Sequence, residues 1–180
     1  MPGNDPLELE ARVQRAHGLL AAHLEGPVAA EPWIQMVEYD PELRRWYVRF
    51  GCDVRDATSI YFDLYQRTLR FEVYFLPDPP NPRDELYRYL LQHNHGLYGA
   101  RFSIGPDGDI YLTGRLALEH LTVEELDRII GVLYEIVERT FPTTIALAYP
   151  EAGARRATPN GASRAVEVVG DGSDPEHAEG

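Results

Sequence analysis

"ATSIYFDLYQRTLRFEVYFLP", residues 57–77, decides the fold. Ile60, Phe62, Leu64, Leu69, Phe71, Val73 and Phe75 alternate with polar neighbours, as do Trp46, Val48 and Phe50 upstream. A period of two puts one face of each strand on a core and the other in water, the habit of an antiparallel meander. "PWIQMVEYD" reads as a first strand, and "RRWYVRFGCD" as a second after a turn at Asp40-Pro41. The quoted stretch is then either one bent ribbon or two strands joined near Gln66 and Arg67.

On both flanks the period changes to that of a helix. Before the strands, Asp5 can cap and Pro6 fits the first helical position. Leu9, Val13, Ala16, Leu20 and Leu24 form one apolar stripe, and Gly26 with Pro27 is expected to stop it. After the strands, Asn81 is the expected cap of a second helix, Pro82 its first turn and Gly96 its stop. "YGARFSIGPDGDIYLTGRLAL" follows as a hairpin turning on Gly-Pro-Asp-Gly. Thr122 and Glu125 then make a capping box, with Leu121 and Leu126 placed for a hydrophobic staple. The stripe Leu126, Ile129, Ile130, Leu133, Ile136 and Val137 should end at "TFP", residues 140–142. The prediction is an α+β fold, an antiparallel sheet of five or six strands with helices packed on one face, in the order α-β-β-β(-β)-α-β-β-α.

Length and composition fit one domain over residues 1–150. From Glu151 to Gly180 the chain is Ala, Gly, Pro and charge, with no aromatic, leucine or isoleucine, and is expected to be disordered. The net charge is −12, and all 17 basic residues are arginine. An acidic balance without clustered arginines argues against nucleic acid. Cys52 is the only cysteine, so no disulfide framework or thiolate cluster is expected. No apolar signal core or membrane span is visible, which reads as cytoplasmic.

"QHNHG", residues 92–96, poses the one metal question. Helical residues advance about 100° each, so His93 and His95 diverge by about 160° and cannot hold one ion. Helical chelates use i and i+4 instead. An extended last turn would put both imidazoles on one face, and the alternative reading is a metal-dependent hydrolase using them with a nearby acid.

The other constellations have plainer explanations. Ser59, Ser103, Ser163 and Ser173 lie in no nucleophile elbow. Cys52 shares the face of Val48 and Phe50 and reads as a structural cysteine. Glu124, Glu125 and Asp127 suit the positive end of a helix dipole. Asp107 and Asp109 belong to a hairpin turn too short for a calcium loop. No catalytic residue, metal or cofactor is predicted.

The wet face of the meander offers more. Tyr47, Arg49, Tyr61, Asp63, Tyr65, Arg70, Glu72 and Tyr74 fall on it, and Tyr and Arg are enriched at recognition surfaces. Tyrosine is also simply a good strand former. Tyr47, Arg49, Tyr61, Tyr65, Arg70 and Tyr74 are the candidate partner-binding residues. Three strands present roughly 300 Å² of flat footprint, enough for one extended segment or part of a dimer contact. The acidic chain suggests a basic partner. A small-molecule regulatory site between helices and sheet stays open.

One resemblance follows from the order of elements. "ELYRYLLQHNHG" leading into "YGARFSIGPDGDIYLTGRLAL" and then "LTVEELDRIIGVLYEIVE" resembles the YbjN family over residues 7 to 149. Leu90, Leu91, Asn94, Phe102, Leu112 and Leu126 carry the match. The family is similar in fold to the type III secretion chaperones and is described as sensory transduction regulators or chaperone-like proteins. The resemblance implies a protein-binding role, by analogy as a homodimer, and no catalytic residues.

Overall fold

The computed structural model describes residues 5–150; the predicted tail, residues 151–180, lies outside them. Helix α1 (Pro6–His23) starts where Asp5 accepts a hydrogen bond from the Leu7 amide at 3.1 Å. Strands β1 (Ile34–Asp40), β2 (Arg45–Phe50), β3 (Thr58–Leu64) and β4 (Thr68–Leu76) follow, so the quoted stretch is two strands rather than one ribbon. Helix α2 (Asp84–Gly96), strands β5 (Ala100–Ile104) and β6 (Ile110–Ala117), and helix α3 (Val123–Ala148) complete the fold.

The six strands form one antiparallel sheet in the order β1-β2-β3-β4-β6-β5. The alternation does what its period demands. Trp46, Val48, Phe50, Ile60, Phe62, Leu69, Val73 and Phe75 are all 0–1% exposed, as are Ile110 and Leu112. Leu20, Leu24, Leu86, Leu126, Leu133 and Val137 of the helices join the same core. Burying side chains of this size stabilises by about 1.5–3 kcal/mol each relative to exposure. The helices therefore cover one face of the sheet.

Several helix boundaries differ from expectation, each with a local cause. Gly26 and Pro27 do not end the first helical run, which continues as a π-helical turn over Leu24–Val28 and buries Leu24 and Val28. Asn81 is not the cap of α2; the helix starts at Asp84, and Asp84 and Glu85 fill its first turn, where the dipole favours acids. Gly96 is helical, and the left-handed glycine is Gly99, at φ +79°. Helix α3 runs through Pro142 to Ala148. The Thr140 hydroxyl donates to the Ile136 carbonyl and Thr144 to that of Thr140, and the extension packs Phe141 against Phe75. At the start of α3, Thr122 accepts from the Glu125 amide at 3.1 Å, but the Glu125 carboxylate turns to Arg128 instead of closing the box.

Turn chemistry fixes the second hairpin. The Gly105 amide donates to the Asp109 carbonyl at 2.8 Å, and Gly108 adopts φ +88°, a region glycine enters without a steric penalty.

Strand β5 lies at the sheet margin, and α2 seals it with one side chain. The Asn94 amide nitrogen donates to the Phe102 carbonyl (3.0 Å), and its oxygen accepts from the Phe102 amide (2.7 Å). These two bonds stand in for a seventh strand, satisfying backbone groups that an edge leaves open. Asn94→Ala should cost about 2 kcal/mol, since it strips two partly buried bonds and leaves both Phe102 groups unpaired. Thermal denaturation should show a fall of about 5 °C. An unchanged midpoint would mean that water replaces the amide without loss.

Candidate binding surface

The sheet face opposite the helices is built by the same alternation, from the odd partners of each apolar position. Register places Asp40, Arg45, Asp63, Arg70 and Arg115 in one row across five strands. The next row runs Glu38, Tyr47, Tyr61, Glu72, Thr113 and Arg101 across all six. Tyr74 and Tyr111 face each other in a third, with Ser103 beyond. Among the described residues, α1, α2 and α3 lie on the opposite side.

Lateral contacts lock these side chains in place. Arg45 Nε donates to Asp63 Oδ1 at 2.6 Å and Nη2 to Oδ2 at 3.0 Å, a two-pronged pair. That bond to Asp63 raises the guanidinium's pKa above its ordinary value. Arg70 reaches Glu72 directly and Asp63 at 3.8 Å. The Arg45 guanidinium also lies 5.3 Å from the Tyr61 ring, and Tyr61 meets Tyr47 edge-on at 5.4 Å. Tyr74 and Tyr111 make a second edge-on pair at 5.6 Å. Burial pushes both phenols up in pKa, and the charge of Asp109 adds to it. They stay neutral hydrogen-bonding groups at physiological pH. The side chains of this surface are thus fixed by one another, an arrangement that would lower the ordering cost of any binding there.

Of the six residues predicted from the sequence, five sit in strands on this face. Tyr47, Tyr61, Arg70 and Tyr74 are half-buried, and Arg49 is exposed with its Nε on Gln35. Tyr65 does not join them. It lies past the end of β3 in the turn to β4, its amide bonded to the Thr68 carbonyl, and its side chain is exposed. Asp63 and Glu72 are on the face but buried rather than wet, at 5% and 9% exposure: Arg45 and Arg70 flank Asp63, and Glu72 lies between Tyr61 and Thr113 with Arg70 on its carboxylate. Sequence reasoning missed Arg45, Arg101, Tyr111, Thr113 and Arg115. The alternation of "IYLTGRLA" could have placed Tyr111, Thr113 and Arg115 on the outer face, but not beside β4.

The other candidates separate. Residues 93–95 are helical, and the two imidazoles diverge. His93 stacks on Tyr89 at 4.2 Å, donates from Nδ1 to the Tyr89 carbonyl, and lines a cleft with Tyr98, Arg128 and Ile136. His95 lines a different depression, with Asp84, Tyr87 and Arg88. Among the described residues no three His, Cys, Asp or Glu side chains converge as a metal would require. The Cys52 thiol is pushed up in pKa by burial and donates to the Thr58 hydroxyl at 3.1 Å. Among the described residues no helix is long and apolar enough to cross a membrane. The space between helices and sheet is filled by core side chains; a recess of about 600 Å³ lies at its margin, between α1, Tyr39 and Arg44.

With this geometry in place, comparison with known proteins decides the family. The YbjN family model, "Putative bacterial sensory transduction regulator", matches residues 56–146. The chain belongs to the YbjN family. The YbjN match begins just ahead of β3, so it spans β3 to α3, including the Asn94 latch. An uncharacterized protein of Mycobacterium tuberculosis is 33% identical over 84 residues, covering 47% of this chain and 46% of that one. This YbjN chain therefore spans about half the length of that relative. An uncharacterized protein of Mycobacterium leprae is 27% identical over 133 residues, covering 74% of this chain and 68% of its own. Among solved structures, a chain of the ExsC–ExsE complex superposes with a TM-score of 0.52 at 15% identity, covering 72% of this chain and 93% of that one. That likeness extends to the fold. Of the positions that carry the YbjN resemblance, Leu90, Phe102, Leu112 and Leu126 are core, whereas Leu91 is 68% exposed.

Proposed function

We propose that this YbjN protein is a cytoplasmic, non-enzymatic protein-binding module whose outer sheet face holds a segment of a partner polypeptide. The observation that carries the reading is the face itself. Six strands share it, no helix among the described residues covers it, and its tyrosines and arginines are fixed by contacts with one another and with Asp63. Family membership and a fold shared with a chain solved in a two-protein complex support the same reading.

Size is consistent with that role. Six strands at about 4.8 Å spacing and some 20 Å of length present roughly 600 Å², more than the three strands legible in the sequence. This is below the ~800 Å² per partner of a standard interface but suits an extended segment lying across the strands.

Alanine at both Tyr47 and Tyr74 should weaken partner capture about tenfold or more, the effect of losing two aromatic anchors. The melting temperature should move by only a few degrees, because both side chains lie on the outer face and are only partly buried. The measurement is quantitative recovery of bound protein from host extract on immobilised wild type and double variant. Leu91→Ala, on the helical side, serves as the control. Equal recovery on all three would place binding elsewhere.

A further inference from the structure

Taking that binding face as given, we propose that the segment it holds is acidic, with carboxylates two residues apart. The overall charge of −12 points the other way, toward a basic partner, but the face, even with Asp109 at its Tyr74–Tyr111 end, is close to balanced in charge. It carries Arg45, Arg49, Arg70, Arg101 and Arg115 against Glu38, Asp40, Asp63 and Glu72. Three of those four acids are already engaged. Asp63 holds Arg45, Glu72 holds Arg70, and Asp40 accepts the amides of Glu42 and Leu43 in the β1–β2 turn. Toward β6 and β5 no acid faces Arg115 or Arg101, and both are exposed without an ion partner among the described residues.

Register adds a second observation. Arg70 sits directly opposite Arg115, an arrangement of like charges that weakens a sheet unless something else compensates. Arg101 is opposite Thr113 and thus diagonal to Arg115, which puts their Cβ atoms roughly 7–8 Å apart. Side chains at i and i+2 of an extended chain repeat at about 6.6–6.8 Å. An Asp/Glu-x-Asp/Glu segment would offer one carboxylate to each guanidinium, in the planar two-bond geometry that arginine favours. Nucleic acid fits less well, because the rest of an acidic chain would repel a polyanion. A short acidic segment needs only the local field, which at physiological salt decays over about 8 Å.

The test uses the full chain and three fluorescein-labelled twelve-residue peptides alternating Val or Tyr with Glu, Gln or Arg. Fluorescence polarisation should show the Glu peptide binding at least about tenfold tighter than the Gln peptide, and losing affinity between 0.05 and 0.3 M salt. Arg101→Glu with Arg115→Glu should abolish that preference while leaving the melting temperature in place. Equal binding of the Glu and Gln peptides, or a preference that survives the double reversal, overturns the proposal. If binding is equal but falls in the Tyr47→Ala, Tyr74→Ala variant, only the charge assignment is lost. If no peptide binds, or binding ignores both sets of variants, the face itself is wrong. Asp171, Asp174, Glu176 and Glu179 supply the alternative outcome of the test. Glu-peptide binding that appears only after these four become amides would assign the arginines to the chain's own end and overturn a separate partner.

Discussion

Gly114→Ala should destabilise the fold by about 3 kcal/mol, although it adds only one methyl group to a strand. Gly114 lies on the core side of β6, in register with Phe71 on one neighbour and Ala100 on the other. A Cβ at this position would stand 2.3 Å from the Gly99 carbonyl oxygen and 2.3 Å from the Phe71 ring. Neither can yield easily. Phe71 is 3% exposed in a packed core, and Gly99 holds the left-handed turn that leads α2 into β5. Relief therefore requires the β6–β5 pairing to move as a unit. Circular dichroism should report a melting temperature lower by about 10 °C, with a heavier loss for Gly114→Val. A midpoint within about two degrees of wild type would mean that the strands slide freely at this point.

The second large effect belongs to the outer face of the sheet. Asp63→Ala removes the carboxylate that clamps Arg45 through two bonds and draws in Arg70. Deleting one partner of a buried pair typically costs about 3–5 kcal/mol, because the other charge is left desolvated. Here Arg45 and Arg70 keep 27% and 29% side-chain exposure and can turn to water, so about 2–3 kcal/mol is expected. Asp63→Asn keeps an oxygen acceptor for one of the Arg45 bonds and should cost about half as much. Urea titration of the two variants checks the ordering. Should alanine prove no worse than asparagine, the arginines are not held by charge. Loss of the clamp also frees Arg45 from the Tyr61 ring, so the alanine variant should bind partners less well than its remaining stability suggests.

Local chemistry was largely legible in the sequence. The period-two runs located β3 and β4 to within a residue and β2 to within three, since burial on one face is written directly into alternation. Thr122 and the Gly-Pro-Asp-Gly turn were legible because caps and tight turns depend on neighbours in the chain. Long-range pairing was not. Nothing between residues 77 and 100 announces that β6, rather than β5, lies beside β4, so Tyr111, Thr113, Arg115 and Arg101 could not be added to the face. Asn94 reads as an ordinary helix-end residue until Phe102 is brought against it. Pro142 reads as a stop because its missing N–H is a local fact. The burial of Thr144 and Ala148 beyond it is a tertiary one. The expectation of a basic partner rests on charge summed over the chain, whereas the proposed acidic segment rests on where the arginines stand.

The Asn94 bridge gives the sheet an asymmetry with consequences for self-assembly. One lateral border is plugged at Phe102 by an amide and flanked by a helix, so among the described residues the border formed by β1 is the more open to an added strand. Two molecules meeting there would face outward with their plugged borders, which disfavours growth into fibrils.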